Sequence, residues 1–110
     1  MAEIKYSDQS AQDLEQIGDY IAETLKSPIA ALNIVNNIQN GVDNLADFPY
    51  MGALLSSVTD IDSDYRFLVC GNYLTFYRVV EDCVYIDRVL YGKRDYLSIL
   101  LDNFPQEKSN

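Results

Sequence analysis

Apolar residues recur every three or four positions along two stretches in the first half of the chain, with polar residues between them. The first stripe is Ala11, Leu14, Ile17, Ile21 and Leu25, and the second is Ala31, Ile34, Val35, Ile38, Val42 and Leu45. This period predicts two amphipathic helices. Ser7 suits the N-cap of the first helix. Ser27-Pro28 separates the two, since proline disfavours helical geometry before it but fits the first helical position. So short a connection predicts an antiparallel helical hairpin.

The second half of the chain changes to the pattern of strands. Residues 65–69, 73–80 and 84–91 are rich in β-branched and aromatic side chains, as half-buried strands are. Gly71-Asn72 and Glu81-Asp82 separate these runs and predict short hairpin turns. Residues 2–6 read as a short first strand with Ile4 and Tyr6 on one face. Residues 49–64 show no sustained period and are predicted to form a crossing loop.

The predicted order is therefore β-α-α-β-β-β. Strands that follow a helical hairpin in this way favour an antiparallel sheet with the helices on one face, which is the α+β class. The first strand must pair somewhere within that sheet. At 110 residues the chain is predicted to be one domain. A short closing helix is predicted over residues 95–101, and residues 103–110 are expected to be a frayed tail.

The net charge of −9 restricts the kinds of partner that the chain can attract. A strongly acidic protein is repelled by nucleic acid, whose binding depends on Lys and Arg. The charge is uneven, because Met1 to Tyr65 contains two basic residues and eleven acidic ones. Arg66 to Asp95 contains five basic residues and four acidic ones. Any anion-binding site must therefore lie in the second half.

Several kinds of chemistry are excluded or disfavoured by composition. The chain has no histidine, so catalysis by histidine and histidine-ligated metals are excluded. Cys70 and Cys83 belong to predicted strands rather than to a metal-type spacing, and two buried thiols are expected. No metal or cofactor is predicted. The N-terminus lacks a secretion-type pattern and no apolar run is long enough for a bilayer, so a cytoplasmic protein without membrane association is expected.

The segment 64–95 resembles the RelE/ParE superfamily of toxins from type II toxin–antitoxin systems. It reads Tyr65-Arg66, then a strand with Tyr77-Arg78-Val79, the acidic turn Glu81-Asp82, and a strand leading into Gly92-Lys93-Arg94. The resemblance covers about Ile4 to Leu101. It implies a four-stranded antiparallel sheet that carries a helical hairpin.

The resemblance also implies a partner, an antitoxin that wraps the toxin and silences it. It suggests that the antitoxin lies in the groove bordered by the two helices, as an amphipathic helix or an added strand. The acidic first half of this chain would suit an antitoxin with unusual basic charge.

Two mechanisms occur in this superfamily, and the residues have to decide between them. RelE-like members cleave mRNA on the ribosome, and ParE-like members inhibit DNA gyrase without hydrolysing RNA. Cleavage would need a base, cations for the phosphate and an acid for the leaving oxygen. By resemblance the catalytic set of an RNase would be Arg66, Arg94 and Tyr96. The positions where nuclease members carry further basic residues or the C-terminal tyrosine hold Leu68, Leu74 and Leu100.

The leading interpretation is therefore ParE-like growth arrest by binding a protein target such as DNA gyrase. The predicted target-binding residues are Arg66, Tyr91, Lys93 and Arg94, as one cationic and aromatic patch at an end of the sheet. The competing hypothesis is a ribosome-dependent mRNA endonuclease, and a third is a decayed toxin that only binds its antitoxin. Arg88 is expected to be solvated or paired with a neighbouring carboxylate, and Arg66 could serve only to shield a sheet edge.

Overall fold

The computed structural model describes residues 1–60, 62–93 and 96–101. The helices and strands, in chain order, are β1 (Glu3–Tyr6), α1 (Asp8–Thr24), α2 (Pro28–Asp43), β2 (Ala53–Leu54), β3 (Arg66–Cys70), β4 (Tyr73–Val80), β5 (Cys83–Tyr91) and α3 (Tyr96–Leu101). Single 3₁₀ turns follow α2 and β2. The α+β class, the helical hairpin and the short C-terminal helix are confirmed, whereas the tail 103–110 lies outside the described residues.

Both long helices begin at the residues that the sequence predicts. The Ser7 hydroxyl accepts a hydrogen bond from the Ser10 backbone N–H at 2.9 Å, and Ser27 accepts one from Ala30 at 3.1 Å. Each bond satisfies an N–H that has no partner within its helix. Pro28 is the first residue of α2, where its missing N–H costs nothing.

The sheet has five strands in the order β1-β5-β4-β3-β2. The three predicted strands β3, β4 and β5 pair antiparallel, as predicted, and β2 also pairs antiparallel with β3. In contrast, β1 pairs parallel with β5, from Glu3–Cys83 to Tyr6–Ile86. The expectation of a purely antiparallel, four-stranded sheet is therefore wrong in two details, since the sheet is mixed and gains a strand. Parallel pairing requires a long connection between the two strands, and the helical hairpin together with β2, β3 and β4 separates β1 from β5 along the chain.

The additional strand, β2, lies within the segment that was predicted to be a loop. Ala53 pairs with Phe67 and Leu54 with Arg66. Leu55 follows directly and is fully buried. Burial of Leu55 draws this segment against the sheet, and so short a strand has no period of its own by which the sequence could reveal it.

The sheet buries both of its faces. The helical hairpin packs on one face of the sheet, and the core between them includes Tyr77, Ile38 and Ile86. On the other face, Phe76 and Leu90 pack with side chains from outside the sheet, which are Leu55, Tyr65 and Leu100. Tyr77 and Phe76 are neighbours on β4 and point to opposite faces, as successive strand residues do. The segment after β2 and α3 therefore cover the face that the hairpin leaves open.

Two predictions about burial need correction. Leu25, the last residue of the first apolar stripe, is 59% exposed because α1 ends before it. Cys70 and Cys83 are half-buried rather than buried, and the Cys83 thiol lies 3.9 Å from a carboxylate oxygen of Glu3 on the neighbouring strand. No helix in the described ranges is both long and apolar enough to span a bilayer.

Candidate functional site

Arg66, the first residue of β3, holds the loop that precedes β2. Its Nη1 donates hydrogen bonds to the carbonyl oxygens of Tyr50 at 3.2 Å and Gly52 at 2.8 Å. The guanidinium carbon lies 5.1 Å from the centre of the Tyr50 ring, within the range of a cation–π contact. Arg66 therefore does more than shield an edge, since it fixes the backbone of this loop.

A second anchor fixes the same loop from the core. The buried Tyr77 hydroxyl accepts a hydrogen bond of 2.8 Å from the backbone N–H of Gly52. Burial raises the pKa of Tyr77, although this hydrogen bond and the Arg66 charge act in the opposite direction. Between these anchors the loop presents Phe48, Tyr50 and Met51, which are 65%, 62% and 47% exposed. We call these three side chains the apolar loop.

The next arginine, Arg78 on β4, forms an ion pair across the sheet. Its Nε donates to an Asp87 carboxylate oxygen at 3.0 Å, and its guanidinium carbon lies 5.8 Å from the centre of the Tyr65 ring. Burial, followed by a hydrogen bond to Asp87, raises the pKa of Tyr65 well above its ordinary value. Asp87 is thus the partner of Arg78 and not of Arg88.

Arg88 is paired as expected, but its partner lies on α1. Its Nε and Nη2 donate to the two carboxylate oxygens of Asp13 at 2.8 and 3.0 Å, and the Val89 backbone N–H donates to the same carboxylate at 2.9 Å. The hydrogen bonds to Asp13 raise the pKa of Arg88. Asp13 is 5% exposed, and its carboxylate gives the Val89 N–H a hydrogen-bond partner at a point on β5 that lies beyond the end of β1. The pair therefore joins α1 to the sheet.

The predicted cationic and aromatic patch is divided between two ends of the sheet. In the register of the sheet, Arg66 lies opposite Tyr77 of β4, whereas Tyr91 lies opposite Tyr73, which is four residues earlier on β4. This places Arg66 and Tyr91 about 13 Å apart along the strand direction alone. Lys93 is exposed and follows Gly92, whose N–H donates to the Asn72 carbonyl at the same end as Tyr91. Arg66 therefore cannot form one patch with Tyr91 and Lys93.

Two other predicted residues cannot be placed. Arg94 and the side chain of Tyr96 lie outside the described part of the chain, so their roles stay predictions. The three leucines at nuclease-type positions, by contrast, pack against the apolar core, Leu100 fully buried and the other two half-buried. Leu68 packs against the hairpin core, and Leu74 and Leu100 belong to the cluster on the opposite face. Among the described residues, no three His, Cys, Asp or Glu side chains converge to hold a metal ion.

Comparison with known proteins identifies the family. The sequence profile described as "ParE toxin of type II toxin-antitoxin system, parDE" matches residues 4–96. The chain belongs to the ParE toxin family. It is therefore the toxin component of a type II toxin–antitoxin system, and the partner that this implies is a cognate antitoxin. A search of the curated proteins finds no match to this sequence.

Two solved structures have folds similar to the fold of this chain. The chain resembles a structure of the "Chromosomal ParDE TA system from P. aeruginosa" with a TM-score of 0.70 and 25% identity, over 83% of this chain and 96% of that one. It resembles YafQ from E. coli strain BL21(DE3) with a TM-score of 0.50 and 15% identity, over 83% of this chain and 93% of that one. The likeness to YafQ concerns the fold alone.

Sequence reasoning missed two features of this ParE family member. Asp13 is buried on the sheet side of α1, and the only signal was a carboxylate directly before Leu14 in the apolar stripe. Tyr20 and Tyr73 line a groove together with Tyr91, which the sequence had placed in the cationic patch. Burial, followed by the phenols of Tyr91 and Tyr20, raises the pKa of Tyr73. Their convergence depends on the packing of α1 against the sheet.

Proposed function

We propose that this toxin arrests growth by binding a protein target, which is DNA gyrase, and that it does not hydrolyse RNA. The observation that carries the proposal is that every arginine of the described strands is engaged within the protein. Arg78 and Arg88 are paired with carboxylates, and Arg66 bonds two loop carbonyls. A cytoplasmic location, where the target would be met, belongs to the same proposal.

The engaged arginines argue against an RNase because cleavage requires several cations that converge on one phosphate. Releasing Arg88 would leave the Asp13 carboxylate buried without a compensating positive charge, which costs about 3–5 kcal/mol. Leucines stand where further basic residues would be needed, and their side chains pack against the core. The net charge of −9 adds repulsion from ribosomal RNA.

The apolar loop provides a surface that suits a protein target. Aromatic residues, methionine and arginine are the types enriched at the centres of protein interfaces, and Phe48, Tyr50 and Met51 lie here beside Arg66. The bonds from Arg66 and to Tyr77 already order the loop, so less conformational entropy is lost on binding. Lys93, Arg94 and Tyr91 would form a separate contact at the other end of the sheet.

The test is to induce this chain in bacteria without its antitoxin and to pulse-label DNA and protein synthesis. We expect DNA synthesis to stop first, while amino-acid incorporation continues. Purified toxin should also inhibit supercoiling of relaxed plasmid by gyrase, and adding the antitoxin should restore it. Phe48→Ala should weaken this inhibition by about tenfold, as loss of an exposed interface anchor does.

Val69→Ala is the matched control, because Val69 is 66% exposed and Phe48 is 65% exposed. We expect it to inhibit like the parent chain. If amino-acid incorporation collapses first, and Arg94→Ala abolishes that collapse, the protein is an mRNA endonuclease and the proposal is wrong. If neither synthesis changes while the antitoxin still binds, the chain is a decayed toxin.

A further inference from the structure

The exposed side of α2 repeats apolar and amide residues with the period of a coiled coil. Ile29, Leu32, Asn36 and Gln39 follow one another at alternating spacings of three and four residues, which are those of the a and d positions of a heptad. Residues at these spacings share one side of a helix, and all four are exposed. We call these four side chains the α2 seam.

The α2 seam takes no part in the packing of α2 within the protein. The buried side of the helix is formed by Ala31, Ile38 and Val42. On the seam, Ile29 is 72% exposed and Leu32 is 61% exposed. These two neighbouring side chains therefore offer apolar surface whose burial by a partner would be favourable.

The α2 seam lies on an uncharged stretch of a strongly acidic chain. Residues 28–42 contain no Asp, Glu, Lys or Arg, whereas α1 contains five carboxylates and no basic residue. Two copies of a chain with a net charge of −9 repel each other where their acidic surfaces approach. This repulsion is weakest at an uncharged surface. The seam therefore suits a second copy of the chain, while a basic partner would find no carboxylate on it.

The order of residue types on the α2 seam favours a particular number and direction of helices. A β-branched residue at a with leucine at d favours two parallel helices, as with Ile29 and Leu32. Asparagine at the next a position, Asn36, fixes the register, because its amide both donates and accepts hydrogen bonds and can pair with its own copy. Asp43 occupies the following a position, where two carboxylates would repel each other, and the seam ends there.

We infer that the α2 seams of two copies of this chain pack together as a short parallel coiled coil, which makes the free toxin a two-fold dimer. The helix rises by only about 15 Å from Ile29 to Gln39. A contact of this length covers less than the roughly 800 Å² per partner of a standard interface. The dimer is therefore weak, with a dissociation constant on the order of 10–100 μM.

This dimer is independent of gyrase as the target. The apolar loop and the groove beside Tyr20 contain no residue of the α2 seam, since Ile34 is the residue by which α2 lines that groove. The two copies would thus be joined through a surface that differs from both.

The experiment is sedimentation equilibrium of the full chain, without antitoxin, from about 1 to about 300 μM. We expect the mass to rise from that of one chain towards that of two. Asn36→Ile should strengthen the dimer by about tenfold or more, because a polar residue at an a position lowers the stability of a coiled coil. The matched control is Asn37→Ile, which changes an exposed asparagine of the same helix outside the seam and should leave the dissociation constant unchanged.

A charge on the α2 seam should have the opposite effect. Leu32→Glu should weaken the dimer by about tenfold or more, because two carboxylates would meet at one d position. Val58→Glu is its control, since Val58 is 59% exposed, against 61% for Leu32, and follows the 3₁₀ turn after β2. Leu32→Glu mixed with an equal amount of Leu32→Lys should associate again, because opposite charges then meet. Circular dichroism checks that each variant is folded.

A parent chain that keeps the mass of one copy at every concentration overturns the inference. Equal strengthening by Asn36→Ile and Asn37→Ile, or a dimer that Leu32→Glu leaves intact, shows that another surface joins the copies. If the parent chain stays monomeric and Leu32→Glu instead abolishes binding of the antitoxin, the α2 seam belongs to the antitoxin and the inference is wrong. The gyrase assay tests the proposed function separately, and its failure would not affect the dimer.

Discussion

Single residues determine how α1 and the β2 segment are fixed to the sheet. The Asp13 carboxylate accepts three hydrogen bonds, two from Arg88 and one from the Val89 backbone. A buried ion pair of this kind adds little compared with apolar packing, but removing one partner leaves a charge without compensation. Asp13 and Arg88 therefore act as a unit, and loss of one member should be costly.

We expect Asp13→Ala to lower the free energy of unfolding by about 3–5 kcal/mol, because Arg88 and the Val89 N–H would lose their partner. Urea denaturation followed by circular dichroism measures this loss. The matched control is Asp19→Ala on the same helix, where the carboxylate is exposed and the change should stay within about 0.5 kcal/mol. A loss below about 1 kcal/mol for Asp13→Ala would show that the pair is not structurally important.

Gly52 lies where no side chain has room. A Cβ atom at this position would be 2.6 Å from the Tyr77 hydroxyl oxygen and 2.7 Å from the Phe67 carbonyl oxygen. We expect Gly52→Ala to destabilise the protein by about 1–3 kcal/mol and to move the apolar loop. Thermal unfolding measures the first effect, and inhibition of gyrase measures the second.

Gly18→Ala is the corresponding control, since its Cβ would meet Val35 at an ordinary 3.5 Å. In the middle of α1 this change should stabilise by about 0.5–1 kcal/mol. If Gly52→Ala were as well tolerated as Gly18→Ala, the contact of the loop with Tyr77 would be looser than the structure indicates.

At the scale of elements, the two hairpin turns share one backbone conformation but have different residues at the same turn position. Both have a positive φ at the first central residue, which is 58° for Gly71 and 55° for Glu81. Glycine adopts this conformation freely, whereas a residue with a Cβ is strained there by about 1–2 kcal/mol. Lys26, just after the end of α1, has a φ of 52° and carries the same strain.

We therefore expect Glu81→Gly to stabilise the protein by about 1 kcal/mol, less the entropy that glycine gains in the unfolded chain. Gly71→Ala makes the opposite change at the equivalent turn position and should destabilise by about 1 kcal/mol. Midpoints of urea denaturation compare the two. Equal effects of the same sign would contradict the assignment of strain to these turns.

At the scale of the whole molecule, the tyrosines couple stability to high pH. Packing raises the pKa of Tyr6, Tyr65, Tyr73 and Tyr77 above the ordinary value of 10.0, with burial as the largest cause in each case. The folded state therefore retains protons that the unfolded chain loses above this pH. The stabilisation is complete below the unfolded pKa and is lost as pH rises through the folded pKa values.

We expect the free energy of unfolding to fall by about 2 kcal/mol between about pH 9 and about pH 11, mainly through the buried phenols of Tyr65 and Tyr77. Tyr6 is 37% exposed and contributes less, because water screens its charge. Urea titrations across this range test the sign, and Tyr65→Phe should fall less steeply because it removes a buried phenol. A constant or rising free energy of unfolding over this pH interval would contradict the raised pKa values of the tyrosines.

The sequence by itself determined the local structure of this ParE toxin, because short-range physics encodes it. Helical spacing, the caps at Ser7 and Ser27, and turn residues such as Gly71-Asn72 act within a few positions of the chain. The absence of histidine and the leucines at nuclease-type positions are also visible without a structure, and they already favoured binding over hydrolysis.

Only the tertiary structure decided which distant groups meet. Three such contacts join residues far apart in the chain. They are the parallel pairing of β1 with β5, the hydrogen bond from Gly52 to Tyr77, and the ion pair of Asp13 with Arg88. A carboxylate beside an apolar stripe looks the same in the sequence whether it is exposed or buried. Its partner is chosen by the packing of α1 on the sheet, which also brings Tyr20 to the groove beside Tyr73 and Tyr91. The register of β3, β4 and β5 places Arg66 at the other end of the sheet.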